Sequence, residues 1–266
     1  GPHNYHVNDV CLSSDSTHFV SAGAEHSAFY WDTVEGKVVR KFNHGGGVEC
    51  CNYVAEQSLV CTGSADRSVR FWDHRARGPI SILDDAKDSV SSVSEHNRAV
   101  VATSIDGAVR TYDLRRGILK TDYFAKPVVN ACLSSATDDC YVASVLDDSV
   151  VLVEHGDVLA NYRGHACDSY RIHCTFDPCE EFVLCGCSSG SVYCWSLSDP
   201  KSIITAPKAH SGPVTALVFS NPSLLKGGRL ARDLEKNVRD LLHQQGSLLV
   251  SGGKDGYLRV WRFYAS

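Results

Sequence analysis

VRFWD at residues 69–73 has two close echoes in the chain, AFYWD at 28–32 and VRTYD at 109–113. Weaker copies follow as VVLVE (150–154), VYCWS (192–196) and LRVWR (258–262). With Trp31, Trp72, Tyr112, Val153, Trp195 and Trp261 as pivots, the successive steps are 41, 40, 41, 42 and 66 residues. A period of about 40–45 residues is that of stacked four-stranded sheets. Between pivots, VVRKF (38–42), VVATS (100–104) and VYCW (192–195) read as strands, and Asp106-Gly107 and Asp255-Gly256 read as the tight turns that join them. The pattern predicts an all-β chain.

Further columns keep the same register. Six residues before each pivot stand Glu25, Asp66, Asp106, Asp147, Ser189 and Asp255; ten before stand Ser21, Thr62, Ala102, Ala143, Cys185 and Ser251. A histidine lies further upstream in four repeats, at His3, His44, His165 and His210. The stretch 221–246 breaks the pattern. From Arg229 to His243 its Leu230, Leu234, Val238, Leu241 and Leu242 fall on one helical stripe, which predicts a helical insertion within the last repeat. That helix either packs on its own repeat or presents the stripe to a partner.

These columns resemble the WD-repeat family, and the resemblance covers almost the whole chain. It implies a WD-repeat β-propeller in which acid, histidine, hydroxyl and indole form a buried hydrogen-bonded tetrad. The residues in those positions are His3, Ser21, Glu25 and Trp31; His44, Thr62, Asp66 and Trp72; and His210, Ser251, Asp255 and Trp261. Such a network satisfies the indole N–H and the imidazole once both are buried, and fixes strand register. Repeats three and four lack the histidine and the hydroxyl and are expected to rely on apolar packing alone. The resemblance implies one domain over 1–266, with repeats at about 3–42, 43–83, 84–123, 124–162, 163–206 and 207–266. In this family the last blade borrows its outer strand from the other end of the chain. No such strand is evident after repeat six, so the expectation is seven blades, with one N-terminal repeat cut away or unseen; the alternative is six blades that close with one short blade.

Composition bounds the function. Lys+Arg 26 against Asp+Glu 31 leaves a net charge of −5, so no global basic field recommends direct nucleic-acid binding. Apolar runs fall far short of the roughly 20 residues that cross a bilayer, and no charged-then-apolar leader opens the chain. The expected location is therefore cytoplasm and nucleus, without a membrane partner. The 12 cysteines, many inside apolar alternations, read as packing residues in a reduced compartment.

Recurring His, Ser and Asp invite a catalytic triad, but each Ser or Thr lies inside a strand, where a nucleophile lacks exposure. No catalytic residue is assigned. The run His165, Cys167, His173, Cys174, Cys179, Cys185, Cys187 lacks paired CxxC knuckles, and no metal or other cofactor is assigned. Gly45-Gly46-Gly47 lacks the spacing of a phosphate loop and reads as a turn. Arg75-Ala76-Arg77 and Arg115-Arg116 read as solvated turns, with a local RNA or acidic-partner contact as the alternative.

Function is then expected on loops. The candidates for partner contact are Tyr5, His26, Arg67, Asp88, Lys126, Asp168 and Lys254. One branch of the family is especially similar. LDDAKDSVSSV (83–93), SIDGAVRTYDLRRG (104–117), VVRKF (38–42) and the GHxxxxY run at Gly164–Tyr170 resemble the mitogen-activated protein kinase organiser family. The resemblance implies a non-enzymatic scaffold, monomeric alone, that assembles kinase-cascade or spliceosome components. The insertion at 221–246 departs from that branch. The alternative is a substrate- or peptide-recognition subunit of a ubiquitin ligase or methyltransferase complex, which a charged central pocket would favour.

Overall fold

A computed structural model describes residues 2–54, 59–96, 99–117, 119–137, 139–167, 171–219 and 247–263. They form 23 strands in six sheets, and no helix occurs among the described residues. Sheet one is β1 (Val7–Leu12), β2 (His18–Gly23), β3 (Ser27–Asp32) and β4 (Val38–Asn43). Sheet two is β5 (Val48–Val54), β6 (Leu59–Ser64), β7 (Val69–Trp72) and β8 (Ser81–Leu83). Sheet three holds β9 (Val90–His96), β10 (Ala99–Ser104), β11 (Ala108–Asp113) and β12 (Leu119–Tyr123). Sheet four holds β13 (Val128–Leu133), β14 (Cys140–Val145), β15 (Ser149–Glu154) and β16 (Asp157–Arg163). Sheet five is β17 (Cys174–Phe176), β18 (Phe182–Gly186), β19 (Val192–Ser196) and β20 (Ile203–Ala206). Sheet six is β21 (Val214–Phe219), β22 (Ser247–Gly253) and β23 (Leu258–Phe263). Each sheet is a meander in which consecutive strands pair.

Two compact units divide the chain, residues 1–147 with 152–159, and 148–151 with 160–266. Sheets one to three lie wholly in the first unit, and sheets five and six wholly in the second.

Inner strands such as β6, β14 and β15 are near-continuous buried runs because both faces of their sheets are covered. In the first unit, Val20, Ala22, Ala28, Tyr30 and Phe42 of sheet one meet Val48, Cys51, Val60 and Trp72 of sheet two. Phe42 stacks on Trp72 at 4.9 Å. On its opposite face, sheet two gives Cys50, Val54, Cys61, Val69 and Phe71 to Val90, Val93, Val100, Ala102 and Tyr112 of sheet three. In the second unit, Leu184, Val192 and Cys194 of sheet five pack with Val214, Leu217 and Leu249 of sheet six. Each fully buried Val or Leu contributes about 1.5–3 kcal/mol. Nine of the 12 cysteines are buried and none is bridged, as packing residues in strands should be.

The expected seven blades are corrected to six sheets among the described residues. Five of these have four strands and sheet six has three, which matches the alternative of six blades with one short blade. The expected helical insertion at 221–246 lies outside the described residues.

Candidate functional site

The acid, histidine, hydroxyl and indole columns converge in sheets one, two and six. In sheet six, Trp261 donates its indole N–H to Ser251 Oγ at 2.8 Å, and Ser251 Oγ lies 2.8 Å from His210 Nε2. His210 Nδ1 stands 2.9 Å from Asp255 Oδ1. A neutral imidazole protonated on Nδ1 satisfies the whole chain: indole to hydroxyl, hydroxyl to Nε2, Nδ1–H to carboxylate. Sheet one repeats it, with Trp31 donating to Ser21 at 2.8 Å, Ser21 Oγ at 2.6 Å from His3 Nε2, and His3 Nδ1 against Glu25.

Sheet two is different at its acid end. Trp72 donates to Thr62 Oγ1 at 2.7 Å, and Thr62 lies 2.8 Å from His44 Nε2. His44 Nδ1, however, stands 3.6 Å from Asp66 and has no hydrogen-bond partner. Asp66 is drawn aside by Arg70 at 2.9 Å, the Gly45 N–H at 2.7 Å and the Ser68 hydroxyl at 2.5 Å. Burial raises the carboxyl's pKa, but the Ser68 hydroxyl and the Gly45 and Ser68 N–H groups outweigh it and hold Asp66 at about 2. Burial, reinforced by the Arg70 charge, lowers His44 to about 4, so the imidazole is neutral.

Sheet three corrects the expectation of apolar packing alone. The Arg110 guanidinium sits 2.7 Å from Asp106 Oδ2, with side chains only 3% and 9% exposed. Asp106 also accepts the Lys87 N–H at 2.8 Å and the Ala108 N–H at 3.0 Å. Burial pushes Asp106 up, yet these bonds keep it below the ordinary carboxylate value. An Arg four residues after the acid recurs at Arg70, Arg110 and Arg259, a periodic signal present in the sequence. In sheet four, the Ala143 and Val153 that replace hydroxyl and indole are both fully buried. In sheet five, Cys185 takes the hydroxyl position, and Trp195 donates instead to the Arg163 carbonyl at 3.2 Å.

The turn between second and third strands follows one plan in every sheet. Just after the acid column, His26, Arg67, Gly107, Asp148, Gly190 and Gly256 all adopt a left-handed φ, from 62° to 84°. One residue before that column, the N–H of Ala24, Ala65, Ile105, Leu146, Ser188 or Lys254 bonds back to the entry of the first strand. The acceptors are the carbonyls of His6, Gly47, Ser89, Pro127, Ala166 and Pro213, at 2.9–3.0 Å. Each turn is thus tied to the entry loop at the same end of its own sheet.

The partner candidates fall on these two loop types. Tyr5, Asp88 and Lys126 are exposed on entry loops, while His26, Arg67 and Lys254 are exposed on the turns. Asp168 lies outside the described residues. Arg75 at the opposite end of its sheet is committed to Asp73 at 2.8 Å.

The tetrad hydroxyls are sealed: Ser21 is 3% exposed, and Thr62 and Ser251 are 0% exposed. No substrate carbonyl could reach them, which argues against nucleophilic chemistry there. Among the described residues, no three His, Cys, Asp or Glu side chains gather to hold a metal, and no helix is long and apolar enough to cross a membrane.

Comparison with known proteins agrees with this geometry. The WD domain, G-beta repeat model matches residues 1–32, 36–73, 156–196 and 228–262, more than half of the chain. A WD repeat domain-containing protein 83 homolog of Dictyostelium discoideum is 28% identical over 83% of this chain and 77% of its own length. The human WD repeat domain-containing protein 83 is 35% identical over 55% of this chain, a match that spans 47% of that relative. Human Pre-mRNA-processing factor 17 is 23% identical over 78% of this chain and 38% of its own length. With the family's repeats matched along it and six meander sheets built from those repeats, the chain belongs to the WD-repeat family of β-propellers.

Proposed function

We propose that this chain is a non-enzymatic interaction scaffold that assembles kinase-cascade or pre-mRNA-splicing components, acting in cytoplasm and nucleus. One observation carries the reading: buried polar links and main-chain bonds hold the turns, while His26 and Arg67 project into solvent from them. A rigid frame with exposed, chemically varied loop ends suits protein recognition. The splicing arm draws support from the likeness to Pre-mRNA-processing factor 17. The signalling arm rests on the resemblance of 83–93 and 104–117 to the kinase organiser family.

The test is affinity purification with quantitative mass spectrometry on wild type, Arg67→Glu and Arg77→Glu. Arg77 is exposed on the connection between β7 and β8, at the opposite end of the same sheet. Arg67→Glu should deplete specific kinase-cascade or spliceosome proteins, and Arg77→Glu should retain them. Identical partner sets for all three would sink the placement of recognition on the turns.

A further inference from the structure

The hydroxyl column has a cross-strand neighbour on the first strand of every sheet. In sheets one, two, three, four and six the pairs are Val10 with Ser21, Cys51 with Thr62, Val93 with Ala102, Ala131 with Ala143, and Leu217 with Ser251. In sheet five the rung joins two thiols, Cys174 on β17 and Cys185 on β18.

The ladder's hydrogen bonds say what kind of rung this is. Gly186 N donates to His173 O at one end of the pair of strands, and Asp177 N donates to Phe182 O at the other. Antiparallel rungs alternate between bonded and unbonded. His173 with Gly186 and Asp177 with Phe182 are bonded rungs, so Thr175 with Leu184 is bonded and Cys174 with Cys185 is unbonded. Unbonded rungs bring α-carbons to about 4.5 Å, inside the window of roughly 4.4–6.8 Å that a disulfide spans. Both side chains leave the same face of the sheet. Cys187 lies beyond the end of β18, and its sulfur already accepts the Ala166 N–H at 3.2 Å.

Both thiols are reduced and buried, Cys174 at 3% and Cys185 at 0% exposure. The way in is β17. It has three residues, where its counterparts β1, β5, β9, β13 and β21 have six or seven, and it is the edge strand of its sheet. Local opening of this short edge is the route by which Cys174 would be reached.

We propose that Cys174 and Cys185 form a reversible oxidation site, closing into a cross-strand disulfide when a hydroperoxide reaches β17. The Cys174 thiolate attacks the peroxide, forming an S–O bond as the O–O bond breaks and hydroxide leaves. The Cys185 thiolate then attacks that sulfur, forming the S–S bond as the S–O bond breaks and the second hydroxide leaves. With hydrogen peroxide, two thiols lose two electrons and two protons, and two waters form.

The experiment uses the full chain treated with hydrogen peroxide, free thiols then blocked with N-ethylmaleimide. Cleavage after Glu180 and Glu181 places Cys174 and Cys185 on different peptides. The expected product is a linked pair of peptides, lighter by two hydrogens than the sum and separated by dithiothreitol. Cys174→Ser should abolish the link, and Cys179→Ser should keep it. Separate peptides with both cysteines alkylated, or each carrying only sulfinic acid, would overturn the proposal. So would a link that survives Cys174→Ser. The wild-type map decides the first point alone, whatever the variants' stability.

Discussion

Arg110 grips Asp106 at 2.7 Å inside sheet three, where the repeat pattern elsewhere supplies a histidine, a hydroxyl and an indole. The two side chains do the same positional work by ionic means: they connect the turn after β10 to the strand β11 that follows it. Truncating one partner of a buried pair leaves the other charge without compensation, at a cost of about 3–5 kcal/mol. Arg110→Ala should lose that much stability in urea unfolding. A double-mutant cycle with Asp106→Asn should show coupling well above 0.5 kcal/mol, and additive losses would refute the pairing.

Thr62 is a single hydroxyl serving two rings, so its loss strands both. Thr62→Val keeps the shape and leaves the Trp72 N–H and His44 Nε2 unpaired in the interior. We expect a loss of about 1–3 kcal/mol, read from the denaturation midpoint with an unchanged m-value.

The pH dependence has a definite sign. His44 is neutral in the folded chain down to about pH 4, whereas the unfolded histidine protonates near 6.5. Between those values the unfolded state binds more protons, so stability falls as pH is lowered, by up to about 3 kcal/mol from this residue. Asp66, held at about 2 when folded, extends the loss as pH falls from the unfolded carboxylate value of roughly 3.9 toward 2. His44→Gln should flatten the decline between pH 6.5 and 4 and leave the lower one in place. A parallel decline in wild type and variant would contradict this assignment.

The turn position after the acid column separates backbone cost from side-chain purpose. At φ 70°, Arg67 occupies a conformation that L side chains disfavour. Arg67→Gly should therefore raise stability by about 0.5–1 kcal/mol while weakening partner capture. Gly107→Ala should lower stability, since φ is 81° and a Cβ would come within 2.7 Å of the Phe124 carbonyl. A thermal melt orders the two variants around wild type.

Much of this is legible in the sequence. The pivots and their columns repeat because each occupies a fixed rung of a four-stranded sheet, and rung spacing is written directly as residue spacing. Arg110 is harder to place, because an arginine within a strand reads as solvent-facing, and only the recurrence of Arg four residues after the acid at Arg70, Arg110 and Arg259 hints at its bond to Asp106. The left-handed position was half visible, through Gly107, Gly190 and Gly256. His26, Arg67 and Asp148 conceal it, since a backbone conformation has no signature when the residue is not glycine. Seven blades were inferred from the family's habit of lending an outer strand. Among the described residues, sheet six instead stops at three strands.

The bond from each turn back to its entry loop uses main-chain atoms alone, as with Ala65 N and the Gly47 carbonyl. Its geometry is therefore indifferent to which side chain follows. At His26, Arg67 and Gly256 the side chain can therefore vary without touching that bond, whereas at Gly107 and Gly190 a Cβ would strike a carbonyl, that of Phe124 and that of His210 respectively. Specificity can then drift at these turns faster than architecture. A relative with the same sheets and different residues at the places of His26, Arg67 and Gly256 could hold an unrelated set of partners on an unaltered frame.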